Sequence, residues 1–171
     1  MNSLKKIFGL LKNFNIEILV GIICFFVDQI SKIIIIQNFY MYESIPVIKN
    51  IFYLTYIQNS GIAFGILQNR NMFIIIFILI VIIGYFLFIK EDLKKLYNTN
   101  NNSNLFRFAI GLLIGGAIGN FADRIFLGSV VDFLDFKIWP IFNFADTFIC
   151  IAIGYFIIHF IFIKAKKSNV T

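Results

Sequence analysis

The stretch FRFAIGLLIGGAIGNFADRIF, residues 106–126, decides the fold because it is apolar over a membrane-spanning length and yet carries polar residues near its end. A hydrocarbon core about 30 Å thick is crossed by roughly 20 helical residues. Gly111, Gly115 and Gly119 recur at four-residue spacing within the stretch. This spacing predicts a ridge of small residues against which the backbone of a neighbouring helix packs.

The composition of the whole chain indicates an integral membrane protein. The chain has 171 residues, of which 60% are hydrophobic and 14% are charged, and its mean hydropathy is +0.87. This apolar share exceeds that of soluble domains. We therefore expect an all-α membrane protein, residues 1–171 forming a single domain. The predicted spans of its four-helix bundle are 16–36, 72–89, 105–126 and 142–163, with outer loops at 37–71 and 127–141.

The distribution of positive charge predicts the orientation. An even number of spans places both termini on one side, and cytoplasmic loops are enriched in Lys and Arg. Most of the 15 basic residues fall on the side of the termini, namely Lys5, Lys6, Lys12, Lys90, Lys94, Lys95, Arg107, Lys164, Lys166 and Lys167. Both termini are thus expected in the cytoplasm. The net charge of +6 follows from this bias, so we predict no nucleic-acid partner.

Polar residues from several spans are predicted to lie at one depth. At about 1.5 Å per residue, Asp28 lies about 18 Å, Asn120 about 21 Å and Arg124 about 27 Å from the cytoplasmic ends of their helices. Asn143 and Asp146 begin the fourth span from outside, and Asp132 follows the third span closely. All of these residues are therefore expected in the outer half of the membrane.

Helical spacing predicts which of these groups share a face. Asn120, Asp123 and Arg124 are at i, i+3 and i+4, and Asp28 and Lys32 are at i and i+4. Ionisable groups inside a membrane face a bundle interior and often mark function. The structural alternative is that Asp28 pairs with Lys32 and Asp123 with Arg124, and that both pairs only hold the helices together.

Asp132 and Asp146 have no adjacent basic partner in the sequence. Asn143 and Asp146 resemble a capping box, so helix capping is one explanation of Asp146. Asp132 follows a predicted turn at Gly128 and Ser129, where an exposed loop carboxylate needs no special explanation. A functional interpretation requires the two acids to converge in the folded chain.

Other catalytic classes lack support in the sequence. His159 has no second His or Cys near it, and there is no HExxH motif, so we predict no metal and no cofactor. A small ion or proton carrier that uses the buried charges is a competing hypothesis, although the spans show no internal repeat. A third hypothesis is that the chain is a purely structural subunit of an assembly.

Five motifs together carry a family resemblance over essentially the whole chain. They are DQISK (28–32), NSGIAFG (59–65), GGAIGNFADR (115–124), VVDF (130–133) and FNFAD (142–146). In this order and span context they resemble the bacterial lipoprotein signal peptidases, the signal peptidase II family. The family pattern usually has Ala where this chain has Ile62.

The resemblance implies an intramembrane aspartic endopeptidase that removes the signal peptide of a diacylglyceryl-modified prolipoprotein just before its lipidated cysteine. It implies a catalytic pair, Asp132 and Asp146, and an outer loop with Asn59 and Gly61 that contacts substrate. Residues expected to support the site are Asn120, Arg124, Asn143, Asp28, Lys32 and Asp123. An alternative pairs Asp123, instead of Asp132, with Asp146.

The resemblance also implies a location and partners. The enzyme is expected as a monomer in the bacterial cytoplasmic membrane, with membrane lipids around it and its active site at the outer face. A globomycin-type compound is the expected inhibitor. The family's outer segment has a small β-sheet and a short interfacial helix, and the β-favouring stretch 51–58 fits the sheet.

Overall fold

The protein was analysed as a computed structural model that describes residues 16–61 and 103–168. The helices are α1 (Ile16–Asn38), α2 (Ser103–Phe126) and α3 (Phe144–Ser168). The strands are β1 (Ser44–Ile48), β2 (Phe52–Asn59) and β3 (Val130–Asp135). The predicted spans 16–36, 105–126 and 142–163 correspond to the three helices with small shifts of their ends. The predicted span 72–89 and the departure at Ile62 lie outside the described residues.

Two of these helices have membrane-spanning dimensions. Helix α1 and the Asn104–Phe126 part of α2 each contain 23 residues and are apolar enough to cross a bilayer, and α3 has a shorter apolar stretch, Phe144–His159. Helix α1 also exposes large apolar side chains, including Ile23, Phe26 and Ile30, each at least half exposed. In a membrane protein such a surface faces lipid. The four-span arrangement stays a prediction.

The glycine ridge of α2 lies against α1, as the spacing predicts. A Cβ atom on Gly115 would lie 2.5 Å from the carbonyl oxygen of Gly21, and one on Gly119 would lie 2.5 Å from Asp28 Oδ2. A Cβ atom on Gly111 would likewise lie 2.6 Å from the Cβ atom of Val20 in α1. Any side chain at these positions would separate the two helices. Close approach of α1 and α2 therefore depends on the missing Cβ atoms.

The strands form one antiparallel sheet in the order β1-β2-β3. Strand β2 contains most of the β-favouring stretch 51–58, and both predicted outer loops contribute strands. In the register of β2 and β3, Ile57 lies opposite Asp132 and Asn59 lies opposite Val130. Asp132 is therefore a strand residue, and the exposed loop considered above for it is wrong. The short interfacial helix has no counterpart within 16–61 and 103–168.

The sheet is attached where α1 and α2 end and α3 begins, which we call the sheet end of the helices. Gly128 has φ +71°, a left-handed conformation that favours glycine, and it turns the chain from α2 into β3. Val131 and Phe133 of β3 then pack with Ile35 of α1 and Tyr56 of β2 in one buried cluster. This packing fixes the acids of β3 against the helix ends.

Candidate active site

Lys32 is the centre of a buried ionic cluster between α1 and α2. Its ammonium nitrogen lies 2.8 Å from Asp28 Oδ2 and 2.9 Å from Asp123 Oδ2, and it donates to Asn120 Oδ1 at 2.9 Å. The side chains of Lys32, Asp28 and Asp123 are at most 3% exposed. An ammonium group has three donors, and these three partners account for all of them. The predicted pair of Asp28 and Lys32 is thus confirmed and extended by a second acid.

The predicted pair of Asp123 and Arg124 is wrong. Asp123 binds Lys32, while Arg124 donates from Nη1 to the carbonyl of Asn120 at 3.1 Å and from Nη2 to the carbonyl of Gly61 at 3.2 Å. Consecutive residues on a helix do not face each other, which separates the two side chains. Arg124 instead connects α2 to Gly61, two residues after the end of β2.

Asp28 also links α1 to the start of α3. Its Oδ1 accepts the backbone N–H of Ala145 at 2.9 Å, while its Oδ2 binds Lys32. The first N–H groups of a helix have no partner within the helix, and a carboxylate there is stabilised by the helix dipole. Asp28 therefore fixes the first turn of α3 at Ala145. Asp146 directly follows Ala145 in the same turn.

Asp132 is buried in β3, at 2% exposure. Its Oδ1 accepts Nδ2 of Asn143 at 2.6 Å, and its Oδ2 accepts Nδ2 of Asn59 at 3.0 Å. Burial, and then the neighbouring charge of Asp146, raise the pKa of Asp132 to about 7, against the opposing effect of the two amide donors. A carboxyl with such a pKa holds a proton over part of the neutral range.

Asp146 forms the predicted capping box. Its backbone N–H donates to Asn143 Oδ1 at 2.9 Å, and its Oδ2 accepts the backbone N–H of Asn143 at 3.3 Å. Its other oxygen, Oδ1, accepts Nδ2 of Asn120 at 2.7 Å. Capping therefore occupies only one of the two carboxylate oxygens, and the same residue also belongs to the polar site.

Two asparagines join the acids to the ionic cluster. The Nδ2 group of Asn143 donates to Asp132 and, at 3.1 Å, to Asn120 Oδ1, which also accepts from Lys32. Since Lys32 can only donate, the oxygen of the Asn120 amide faces it and the NH₂ group faces Asp146. The structure thus brings Asp132 and Asp146 into one hydrogen-bonded network.

The predicted loop residues lie beside this network. Asn59 donates to Asp132, and its Oδ1 accepts the backbone N–H of Gly61 at 2.9 Å, so that the amide orients the chain as it leaves β2. The Gly61 carbonyl in turn binds Arg124. All ten residues that the sequence singled out therefore lie within or beside one buried polar site.

The sequence pattern missed Gln29. Its Nε2 donates to Asp123 Oδ1 at 2.9 Å and to the Gly119 carbonyl at 3.2 Å, so it supports the acid that Lys32 binds. The available signal was an amide inside an apolar span, directly beside Asp28. For metals, the described part of the chain holds no group of three His, Cys, Asp or Glu side chains suited to an ion.

Fold and site together define a membrane protein whose buried carboxyl groups meet where a small sheet packs onto apolar helices. A family model described as signal peptidase (SPase) II matches residues 20–162. The lipoprotein signal peptidase of Halothermothrix orenii is 41% identical over 141 residues, covering 82% of this chain and 92% of the relative. That of Clostridioides difficile is 40% identical over 154 residues, covering 88% and 97%.

Solved structures agree with this assignment. A bacterial membrane enzyme determined by the in meso method at 2.3 Å resolution matches with a TM-score of 0.74 and 33% identity, over 88% of this chain and 90% of that one. A second, at 1.9 Å resolution, matches with a TM-score of 0.67 and 34% identity, over 84% and 91%. The chain belongs to the signal peptidase II family, and it is therefore a membrane-associated peptidase.

Proposed function

We propose that this chain is an intramembrane aspartic endopeptidase that cleaves the signal peptide from diacylglyceryl-modified prolipoproteins, just before the lipidated cysteine. Its relatives are named lipoprotein signal peptidases, and membership of their family supports the cleavage of prolipoprotein signal peptides. The aspartic chemistry rests on the site of this chain.

The observation that carries the proposal is the environment of two acids, of which Asp132 is buried and Asp146 is half-buried. Asp132 and Asp146 come from different elements, and Asn143 binds both of them. Asp123, the alternative partner of Asp146, uses Oδ1 for Gln29 and Oδ2 for Lys32 and the Val131 backbone N–H. The ion pair with Lys32 favours a supporting role for Asp123, whereas among the described residues Asp132 accepts only from neutral side-chain amides and is left as the partner.

The environments of the two acids suggest different roles. Asp132, whose pKa is raised to about 7, holds the proton at rest. Asp146 lies in the first turn of α3, where the helix dipole favours a negative charge, so it acts as the base. Asp146 takes a proton from water as the water oxygen bonds to the peptide carbon, and Asp132 gives its proton to the leaving nitrogen as the C–N bond breaks. Transfer of the proton from Asp146 to Asp132 restores the pair.

The remaining features of the proposal concern placement and partners. Four spans would place both termini in the cytoplasm and the acids at the outer face of the bacterial cytoplasmic membrane. Water reaches the scissile bond there, while the acyl chains and signal helix of the substrate stay in lipid. The chain would work as a monomer, without metal or cofactor, and would bind a globomycin-type inhibitor at the same site.

The test is cleavage by the purified full chain in detergent. We expect release of the leader from a diacylglyceryl-modified precursor and none from the same precursor without lipid. Asp132→Asn and Asp146→Asn should each abolish cleavage, because an amide neither takes nor gives the required proton.

Asp135→Asn is the matched control, because Asp135 is also a buried acid of β3, but it binds Thr55 and Lys137 instead of the network. It should keep most of the activity. Normal cleavage by either of the first two variants would refute the pair of acids, and cleavage of the unlipidated precursor would refute the assigned substrate.

A further inference from the structure

The connection between β3 and α3, residues 136–143, presents two large apolar side chains at its tip. Ile138 is 93% exposed and Trp139 is 62% exposed. Transfer of apolar surface out of water is favourable, so two neighbouring side chains of this kind would be unfavourable if they faced water. We propose that Ile138 and Trp139 form an anchor that inserts into the lipid at the membrane–water interface, at the sheet end of the helices.

The residues that flank the tip are held in place by contacts within the connection and to the sheet. Asp135 Oδ1 accepts the backbone N–H of Lys137 at 2.9 Å, and its Oδ2 accepts the hydroxyl of Thr55 at 2.7 Å and binds the Lys137 ammonium. Below the tip, the rings of Phe136 and Phe142 stack with 5.9 Å between centroids. These contacts fix the residues on both sides of the tip, so its projection is part of the fold.

Lipid is the occupant that the surrounding surface favours. At the sheet end, each described helix has an exposed aromatic residue near its terminus. They are Tyr40 just after α1, Phe126 as the last residue of α2, and Trp139 shortly before α3, with exposures of 85%, 82% and 62%. Aromatic side chains, Trp and Tyr above all, concentrate at the two interfaces of a membrane. The anchor therefore continues a belt that the helix ends already mark.

The charge next to the anchor fits the same occupant. Lys137 directly precedes the two apolar residues, is 44% exposed and extends over the ring of Tyr53 at 4.2 Å. Its ammonium is also paired with Asp135, so the charge beside the anchor is neutralised within the protein and leaves the apolar tip free to enter lipid. An anchor of this kind would hold the sheet, and with it Asn59 and Asp132, at a fixed height above the membrane. The inference rests on the membrane character of the chain and not on its peptidase chemistry.

The single tryptophan of the chain makes the test specific, because all tryptophan emission comes from Trp139. The full chain is reconstituted in phosphatidylcholine vesicles that contain lipids brominated either near the headgroup end or near the far end of the acyl chains. We expect blue-shifted emission, strong quenching by the first lipid, weaker quenching by the second, and little quenching by aqueous iodide. Ile138→Asp should reduce the lipid quenching, whereas Ile45→Asp, on β1, should not.

Three results would overturn the proposal. Strong quenching by iodide with none by brominated lipid would place Trp139 in water. Emission that is insensitive to brominated lipid and shifts only when a precursor peptide is added would make the tip a substrate contact. Quenching that depends on the protein-to-lipid ratio would make it a contact between copies. Each readout is independent of cleavage, so an inactive protein leaves the test valid.

Discussion

Replacement of Lys32 by Met tests whether one ammonium group holds the site together. Lys32 is 2% exposed and lies 2.8 Å from Asp28 Oδ2 and 2.9 Å from Asp123 Oδ2. Met keeps an unbranched apolar stem and removes the charge. The variant therefore leaves two buried carboxylates without their cation, and it also removes the donor that orients Asn120.

The expected loss of unfolding free energy follows from this burial. Breaking a buried ion pair by removing one partner costs about 3 to 5 kcal/mol, because the other charge stays buried and uncompensated. Lys137→Met is the matched control, since the Lys137 side chain is 44% exposed and Asp135 keeps the Thr55 hydroxyl and the backbone N–H of residue 137 as donors when the ammonium is removed. The loss there should be about 1 kcal/mol or less. Asp28→Asn should cost less than Lys32→Met, because it leaves one acid facing one ammonium.

Equilibrium unfolding in mixed micelles, followed by helical circular dichroism, measures these differences. Lys32→Met should unfold at a clearly lower denaturant fraction than Lys137→Met. Equal losses for the two lysine variants would show that the buried ammonium stabilises no more than a surface one, and the reasoning would then fail. A Lys32→Met chain more stable than Asp28→Asn would contradict the assigned charge balance.

Three further predictions concern the acids and the helix packing. Activity should fall as the pH rises through about 7, where Asp132 loses its proton. The hydrogen bond from Asn59 lowers the pKa of Asp132, so Asn59→Ala should move the alkaline limb of the kcat/KM profile to higher pH. An unmoved limb would contradict the assignment of this limb to Asp132. Asp123→Asn should lower the amount of folded protein on immunoblots of membranes, whereas Asp132→Asn should leave it near the level of the unmodified chain. Gly115→Ala should cost about 1 to 3 kcal/mol of unfolding free energy, because the new Cβ atom would lie 2.5 Å from the Gly21 carbonyl oxygen. Gly154→Ala is the control and should cost none, because no atom lies within 4 Å of the position of its Cβ. Equal effects of the two variants would contradict the packing of α2 against α1 at Gly115.

Much of the helical framework could be predicted from the sequence because it depends on consecutive residues. The length of an apolar run sets whether a helix crosses a membrane, and helical periodicity places Gly111, Gly115 and Gly119 on one face. The capping box of Asn143 and Asp146 is local in the same sense. The glycine face and the capping box agree with the described helices, and the ends of those helices differ from the predicted ones by a few residues.

Partner choice in the site was decided by tertiary structure. The sequence offered Arg124, the next residue, as the ion-pair partner of Asp123. In the structure α1 packs against α2, and Asp123 pairs with Lys32 of α1 instead. Asp132 became a buried strand residue because β3 pairs with β2, whose Asn59 then reaches its carboxyl. Periodicity fixes only the direction of a side chain from its own helix or strand. The partner of that side chain depends on which distant segment packs against it. Asp28, for example, binds the backbone N–H of Ala145 because the start of α3 packs against α1.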